Sequence, residues 1–233
     1  YGSNPQWYID GDNKNGESEL AGKPFFDTDE RFKIPEFFAF CSRMLKPEPK
    51  ERGQAPAMIV FCSFEQQFEI INEAKKHGLN NYINLCFRKD FSPQVLKANM
   101  RIVGNTEYAM LLYRDKLPKF NNHGRMIFNC MDWVRDTETP KVHPTQKPLK
   151  LLEMLIEIFT DDDDVVIDPC AGSGVTLLAA SNLHRRAYGF EIKKNFYNEA
   201  KKKILVNIEP YFRFEPKEKM VKPENNKSLV EDR

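Results

Sequence analysis

Residues 165–191 constrain the fold more than any other stretch of this 233-residue chain. Val165, Val166 and Ile167 form an apolar run short enough to be a buried strand, and Asp168 ends it. Gly172 and Gly174 then permit a turn tighter than side chains allow. Residues 175–183 read as a helix and 187–190 as a second strand. Strand, glycine turn, helix, strand places backbone N–H groups at a helix start, where a nucleotide-like ligand can approach. Glu191 closes the second strand about 20 residues after the first, the interval at which a carboxylate meets ribose hydroxyls. Only GxG of the GxGxxG pattern is present, which favours a ligand smaller than a dinucleotide. A plainer alternative stays open, in which the glycines are a connector and Glu191 is a solvated charge beside Lys193 and Lys194.

The rest of the chain carries the same rhythm. Phe32, Phe37, Phe38, Cys41, Met44 and Leu45 recur near a helical period before Pro47. Strand-like runs follow at 58–62, 82–87 and 108–113, with an amphipathic helix at 68–77 closed by Gly78. Residues 149–160 resume a helix behind Pro148, and 196–205 form another. Alternating strand and helix is an α/β signature. Residues 1–27 have a loop composition, and the charged stretch 217–233 reads as a tail. The apolar share of 41% beside 30% charged residues describes one globular domain, and no run reaches the roughly 20 apolar residues of a membrane span. No leader pattern is visible, so a cytoplasmic address is the default expectation. Five cysteines without a CxxC pair and four histidines without ligand spacing point to no metal. Net charge of +1 leaves any nucleic-acid contact to a local basic face.

One more segment narrows the reading. DPCAGSG at 168–174, followed by a helix and GFEI at 189–192, is preceded closely by HPTQKPLKLLEMLI from His143. This combination resembles the AdoMet half of DNA amino-methyltransferases with the β arrangement of motifs. FFAFCSRMLKP at 37–47 and NTEYAMLLYR at 105–114 are collinear, weaker matches. The resemblance implies a Rossmann-like α/β sheet in permuted motif order. It divides the chain into a catalytic half at 1–114, a target-recognition insertion at 115–141, an AdoMet-binding half at 142–212 and a tail at 213–233. S-adenosyl-L-methionine is the implied cofactor. Its contacts would come from His143, Thr145, Gln146, Lys147 and Pro148, from Asp168, Pro169, Cys170, Gly172, Ser173 and Gly174, and from Glu191. Read in isolation, HPTQKP is two prolines stiffening a loop with Thr145 as a helix cap. Pro169-Cys170 also resembles the nucleophile dipeptide of cytosine-C5 methyltransferases, but its place inside the glycine loop makes Cys170 a cofactor-site lining residue.

The implied activity is methyl transfer to the exocyclic amine of adenine N6 in DNA, with cytosine N4 and a catalytically inactive AdoMet- or DNA-binding module as alternatives. The family's tetrapeptide, D/N/S-P-P-Y/F/W, occurs nowhere in the chain. Either Tyr1 is its aromatic residue, preceded by an upstream strand, or Asn4-Pro5-Gln6-Trp7 is a degenerate form. The upstream strand would lie between the one ending at Asp168 and the one at 58–62. Double-stranded DNA is the implied partner, with Lys116, Lys119, Arg125, Trp133 and Arg135 as its contacts. The alternative makes the insertion's aromatics a satellite core and its basic residues solvated. A homodimer and a cognate restriction endonuclease are left open as further partners.

Overall fold

The computed structural model describes residues 32–91, 94–97, 102–206 and 208. Tyr1, the segment 4–7, the loop at 1–27 and the tail at 217–233 lie outside the described residues. Helix α1, Ile34–Met44, carries Pro35 in its first turn and buries Ile34, Phe38 and Cys41. Strand β1 is Met58–Cys62, helix α2 is Gln66–Lys76 and strand β2 is Asn81–Lys89. A hairpin that the residue pattern does not announce follows, β3 at Gln94–Lys97 and β4 at Ile102–Gly104. Then come β5, Thr106–Tyr113, and β6, Cys130–Trp133. Helix α3 (Leu149–Phe159), β7 (Val165–Asp168), α4 (Val175–Asn182), β8 (Arg186–Gly189) and α5 (Lys194–Glu199) complete the order, and α5 runs into a π turn, Ala200–Ile204.

Four strands form one sheet in the order β1-β5-β2-β6, and β7 and β8 form a parallel pair of their own. Strand β5 runs antiparallel to both neighbours, with Val60 opposite Met110 and Leu85 opposite Ala109. The strand period of two sorts its side chains. Met110 and Leu112 join Phe38, Cys41 and Ile70 on the face covered by α1 and α2. Ala109 and Leu111 join Leu151 and Leu155 of α3 on the other. A third cluster packs α3 on α4 through Leu152, Ile156, Val175 and Ala179.

The 115–141 stretch is less separate than its composition suggests. Its residues 130–133 are β6, which pairs in parallel with β2 from Cys86↔Cys130 to Lys89↔Trp133 and extends the main sheet. The break in rhythm conceals it because the strand is only four residues long and sits at an edge.

One gap organises the molecule. Lys119 donates its backbone N–H to Ala55 O, just before β1, and its ammonium to Asp164, just before β7. Strands β1 and β7 therefore start at the same edge and run in the same direction. Among the described residues β1 is paired only with β5, and β7 only with β8. Between their free edges lies a cavity of about 2330 Å³, lined by Met58–Phe61 on one side and 165–168 on the other. Phe37, Phe40 and Met44 of α1 form its roof, and Leu152, Leu155, Ile156 and Phe159 of α3 its floor. None of the four β7 residues is fully buried, unlike the alternate residues of β1. Among the described residues, no helix is long and apolar enough to cross a membrane.

Candidate functional site

The glycine turn forms as its sequence requires. Gly172 and Gly174 sit at φ +51° and +77°, a region other residues enter only at a cost. Cys170 N–H donates to Asp168 Oδ1 at 3.0 Å, and Gly174 N–H closes back on Ala171 O at 2.7 Å. Ala171 N–H reaches Phe190 O at 2.9 Å, so the turn is tied to the end of the neighbouring strand. Glu191 completes the tie, because its Oε2 accepts from Gly172 N–H at 2.8 Å and its Oε1 from Lys193 N–H at 2.7 Å. Each oxygen has a second lone pair, and the carboxylate lines the cavity. Burial pushes the Asp168 carboxyl above its ordinary range, and nearby Glu191 adds to the rise. Burial and the Asp168 charge push the Cys170 thiol up to about 11.

The 143–148 segment forms the opposite wall. His143 stacks its ring edge against Phe196 at 4.4 Å, and a Cβ on Gly172 would meet that imidazole at 3.4 Å. Thr145 does not cap α3. Its hydroxyl lies 3.1 Å from His143 Nδ1, while the helix start is capped by Asp136, whose Oδ2 accepts from Leu149 N–H at 3.0 Å. Gln146 holds its own loop, accepting from Val142 N–H and donating to Pro140 O. Lys147 turns inward over the rings of Phe61 and Trp133, 5.0 and 5.3 Å from their centroids. It pairs with Glu107 at 3.5 Å, and Lys89 binds the other oxygen of the same carboxylate. Burial pulls the Lys147 ammonium below its ordinary value, an effect Glu107 only partly offsets.

Of the twelve residues expected around the cofactor, ten line the cavity: His143, Thr145, Gln146, Lys147, Asp168, Pro169, Cys170, Gly172, Ser173 and Glu191. Pro148 and Gly174 are set back from it. Pro148 is buried as the residue before α3, and Gly174 lies against Ala200 and Leu205. Their prominence in the motifs reflects how the chain turns. Sequence reasoning missed an aromatic wall of Phe40 and Phe190, whose rings meet edge to face at 5.8 Å, and Ile192 beside it. Phe190 and Ile192 remain 54% and 83% exposed on either side of Glu191. Two large apolar residues flanking a strand-end carboxylate were the available signal.

The five expected DNA contacts are dispersed. Lys116 Nζ donates to the backbone of Pro49 and Lys50, and Lys119, whose side chain is only 13% exposed, pairs with Asp161 and Asp164. Both serve the edge where β1 and β7 begin. Trp133 is buried in the main-sheet core between β2 and α3, whereas Phe120 and Phe128 of the same stretch are exposed and form no satellite core with it. Arg125 is exposed in the loop before β6, and Arg135 follows β6, over the ring of Phe91. Trp133 lies under Lys147, and Arg135 follows it by two residues. All five cysteines are free thiols, and among the described residues no group of His, Cys, Asp and Glu has the arrangement of a metal site.

Known proteins share this arrangement. The family model described as DNA methylase, of the N6/N4 type, matches residues 29–202. Type II methyltransferase M.HindIII of Haemophilus influenzae is 33% identical over 162 residues, covering 64% of this chain and 51% of its own length. Putative methylase YubD of Escherichia coli is 40% identical over 164 residues, 70% of this chain and 66% of its own. The chain thus spans about half to two thirds of the curated relatives it matches. Among solved structures, the M1.HpyAVI-SAM complex superposes with a TM-score of 0.61 at 28% identity, covering 75% of this chain and 83% of that one. PvuII DNA methyltransferase (cytosine-N4-specific) gives 0.58 at 17% identity over 76% of this chain and 72% of its own, a likeness of fold alone. With a family match across most of the chain, and the glycine turn, strand-end carboxylate and facing loop on one cavity, the chain belongs to the N6/N4 DNA methylase family.

Proposed function

We propose that this chain forms most of a DNA amino-methyltransferase that methylates adenine N6, using S-adenosyl-L-methionine. The observation that carries the reading is the single cavity walled by Asp168, Gly172 and Glu191 on one side and by 143–147 on the other. The residues fit such a cofactor. Glu191 keeps one lone pair on each oxygen for a ribose hydroxyl, and the uncovered faces of Phe190 and Ile192 suit a purine ring. Asp168 is a half-buried carboxylate near a second one with no cationic side chain paired to it among the described residues, and an amino-acid ammonium would provide that charge. When bound, the cofactor supplies a methyl group activated on a sulfonium. The protein's part is to hold donor and acceptor in line and to exclude water. Cys170 remains a thiol at neutral pH and takes no covalent role, consistent with direct transfer to an amine.

The cavity also supports a place for the acceptor side. At about 2330 Å³ it is well above the roughly 300–1,000 Å³ of a small-ligand site. Two parallel strand edges at its sides and two helices above and below are the surroundings of a central β-strand. Among the described residues the N–H and C=O groups on both edges are unpaired, which calls for an extended chain between them. Residues 1–31 contain no run of apolar β-formers suited to that position. We propose that a strand N-terminal to Tyr1 fills the slot and delivers the acceptor tetrapeptide, with Tyr1 as its aromatic residue. Flipped-base recognition would then occur where β1 and β7 end.

DNA adenine methyltransferase YhdJ of Escherichia coli, 30% identical over 131 residues, supports adenine as the target. Arg125 and Arg135 stay as candidate phosphate contacts, since their guanidinium groups are exposed. The test is transfer of labelled methyl from S-adenosyl-L-methionine to unmethylated DNA by the full-length protein, with base analysis of the product. N6-methyladenine is expected. Label in N4-methylcytosine would move the assignment to cytosine, and no incorporation into any DNA would sink the activity.

A further inference from the structure

Glu107 links the paired strands β5 and β2 to the 143–148 wall. It stands near the start of β5, Lys89 ends β2, and Lys147 belongs to the 143–148 wall. One carboxylate oxygen of Glu107 takes Lys89 and the other takes Lys147. Trp133, the last residue of β6, lies under both ammonium groups, 5.0 Å from Lys89 and 5.3 Å from Lys147. The Glu107 and Lys147 side chains are 31% and 24% exposed, and that of Lys89 is 10% exposed. Two cations share one anion over two aromatic faces, so the arrangement depends on the carboxylate.

We infer that Glu107 is a positioning residue that holds the 143–148 wall against the cavity and ties it, through Lys147 and Trp133, to the end of β6. The geometry supports three steps. Lys147 has no strand or helix of its own, because α3 starts two residues later. Its direction is therefore set by its charge partner and by the rings of Phe61 and Trp133. His143, four residues before it, faces the glycine turn and Thr145, two before it, lines the cavity, so a shift of Lys147 moves the wall that closes the cofactor cavity. The inference rests on the methyl-donor reading of the cavity.

The experiment uses the full-length protein and the variants Glu107→Gln, Glu107→Asp and Leu85→Ala, the last a buried control beside the cluster. Dissociation constants for S-adenosyl-L-methionine are measured by calorimetry, and KM for DNA and kcat by label transfer. Thermal midpoints are recorded in parallel. Glu107→Gln is expected to weaken cofactor binding about tenfold, the range of a lost charge-assisted bond, with KM for DNA within about twofold. Glu107→Asp should recover most of the affinity. Leu85→Ala should lower the midpoint at least as far and leave cofactor affinity in place. Equal cofactor affinity for wild type and Glu107→Gln would overturn the inference, as would a loss in Leu85→Ala matching that in Glu107→Gln. If the wild type binds no S-adenosyl-L-methionine, the donor reading itself fails, and the inference with it.

Discussion

The backbone N–H of Gly172 donates to Oε2 of Glu191 at 2.8 Å, so the glycine turn and the following strand end share one carboxylate. That contact gives Glu191 a structural duty alongside the proposed ribose contact. Glu191→Ala should lower affinity for S-adenosyl-L-methionine about 10- to 100-fold, from the 1.5–3 kcal/mol of hydrogen bonds to a charged acceptor. Calorimetric titration checks it, and undiminished affinity would remove Glu191 from the site.

Gly172 has a second constraint. Its φ of +51° resists any side chain, while an added Cβ would sit in ordinary contact with the His143 ring at 3.4 Å. Gly172→Ala should cost about 1–2 kcal/mol of stability through left-handed strain. Thermal unfolding of the two proteins side by side tests this, and an unchanged midpoint contradicts it.

Asp136 anchors the start of α3 from outside the helix. Burial opposes its ionisation, but backbone N–H groups of Thr139, Leu149 and Glu138 outweigh it and hold the carboxyl below the usual range. A depressed folded-state value means that the stabilisation is present above the unfolded value and is lost as pH falls through the folded one. Asp136→Asn should therefore remove about 1 kcal/mol at pH 7 and flatten the acid limb of the stability curve below about pH 4. Parallel acid limbs in denaturant titrations would show that Asp136 does not carry the effect.

Cys170 should behave as an unreactive thiol. With its value near 11, only about one molecule in a thousand is thiolate at pH 8. Alkylation at this residue, followed by mass spectrometry, should speed up about tenfold per pH unit between 8 and 10. Cys170→Ala should leave methyl transfer within a few-fold of wild type. Rapid alkylation of Cys170 at pH 7 would refute the assignment.

The parts of this fold that were legible in the sequence are those fixed by local chemistry. Strand β1 appeared at its observed limits because a short apolar run between Pro56 and Ser63 leaves little choice. The glycine turn and Glu191 were legible because left-handed backbone and a strand-end carboxylate are expressed in residue type. Strand β6 was hidden, since four mixed residues become a strand only when Lys89 and its neighbours provide an edge. Basic residues misled for a related reason. Lys119 looks like a solvated charge until Asp161 and Asp164, more than forty residues on, fold against it. Trp133 likewise carries no sign in its neighbourhood that it will be covered by α3.

Among the described residues the edges of β1 and β7 that face the cavity are unpaired, and this bears on how the polypeptide behaves when it is made alone. Two apolar strand borders facing a common gap are templates for another chain, whether or not that chain is the intended one. Loss from solution should then follow protein concentration more closely than temperature, and co-production with the strand that fits should restore it.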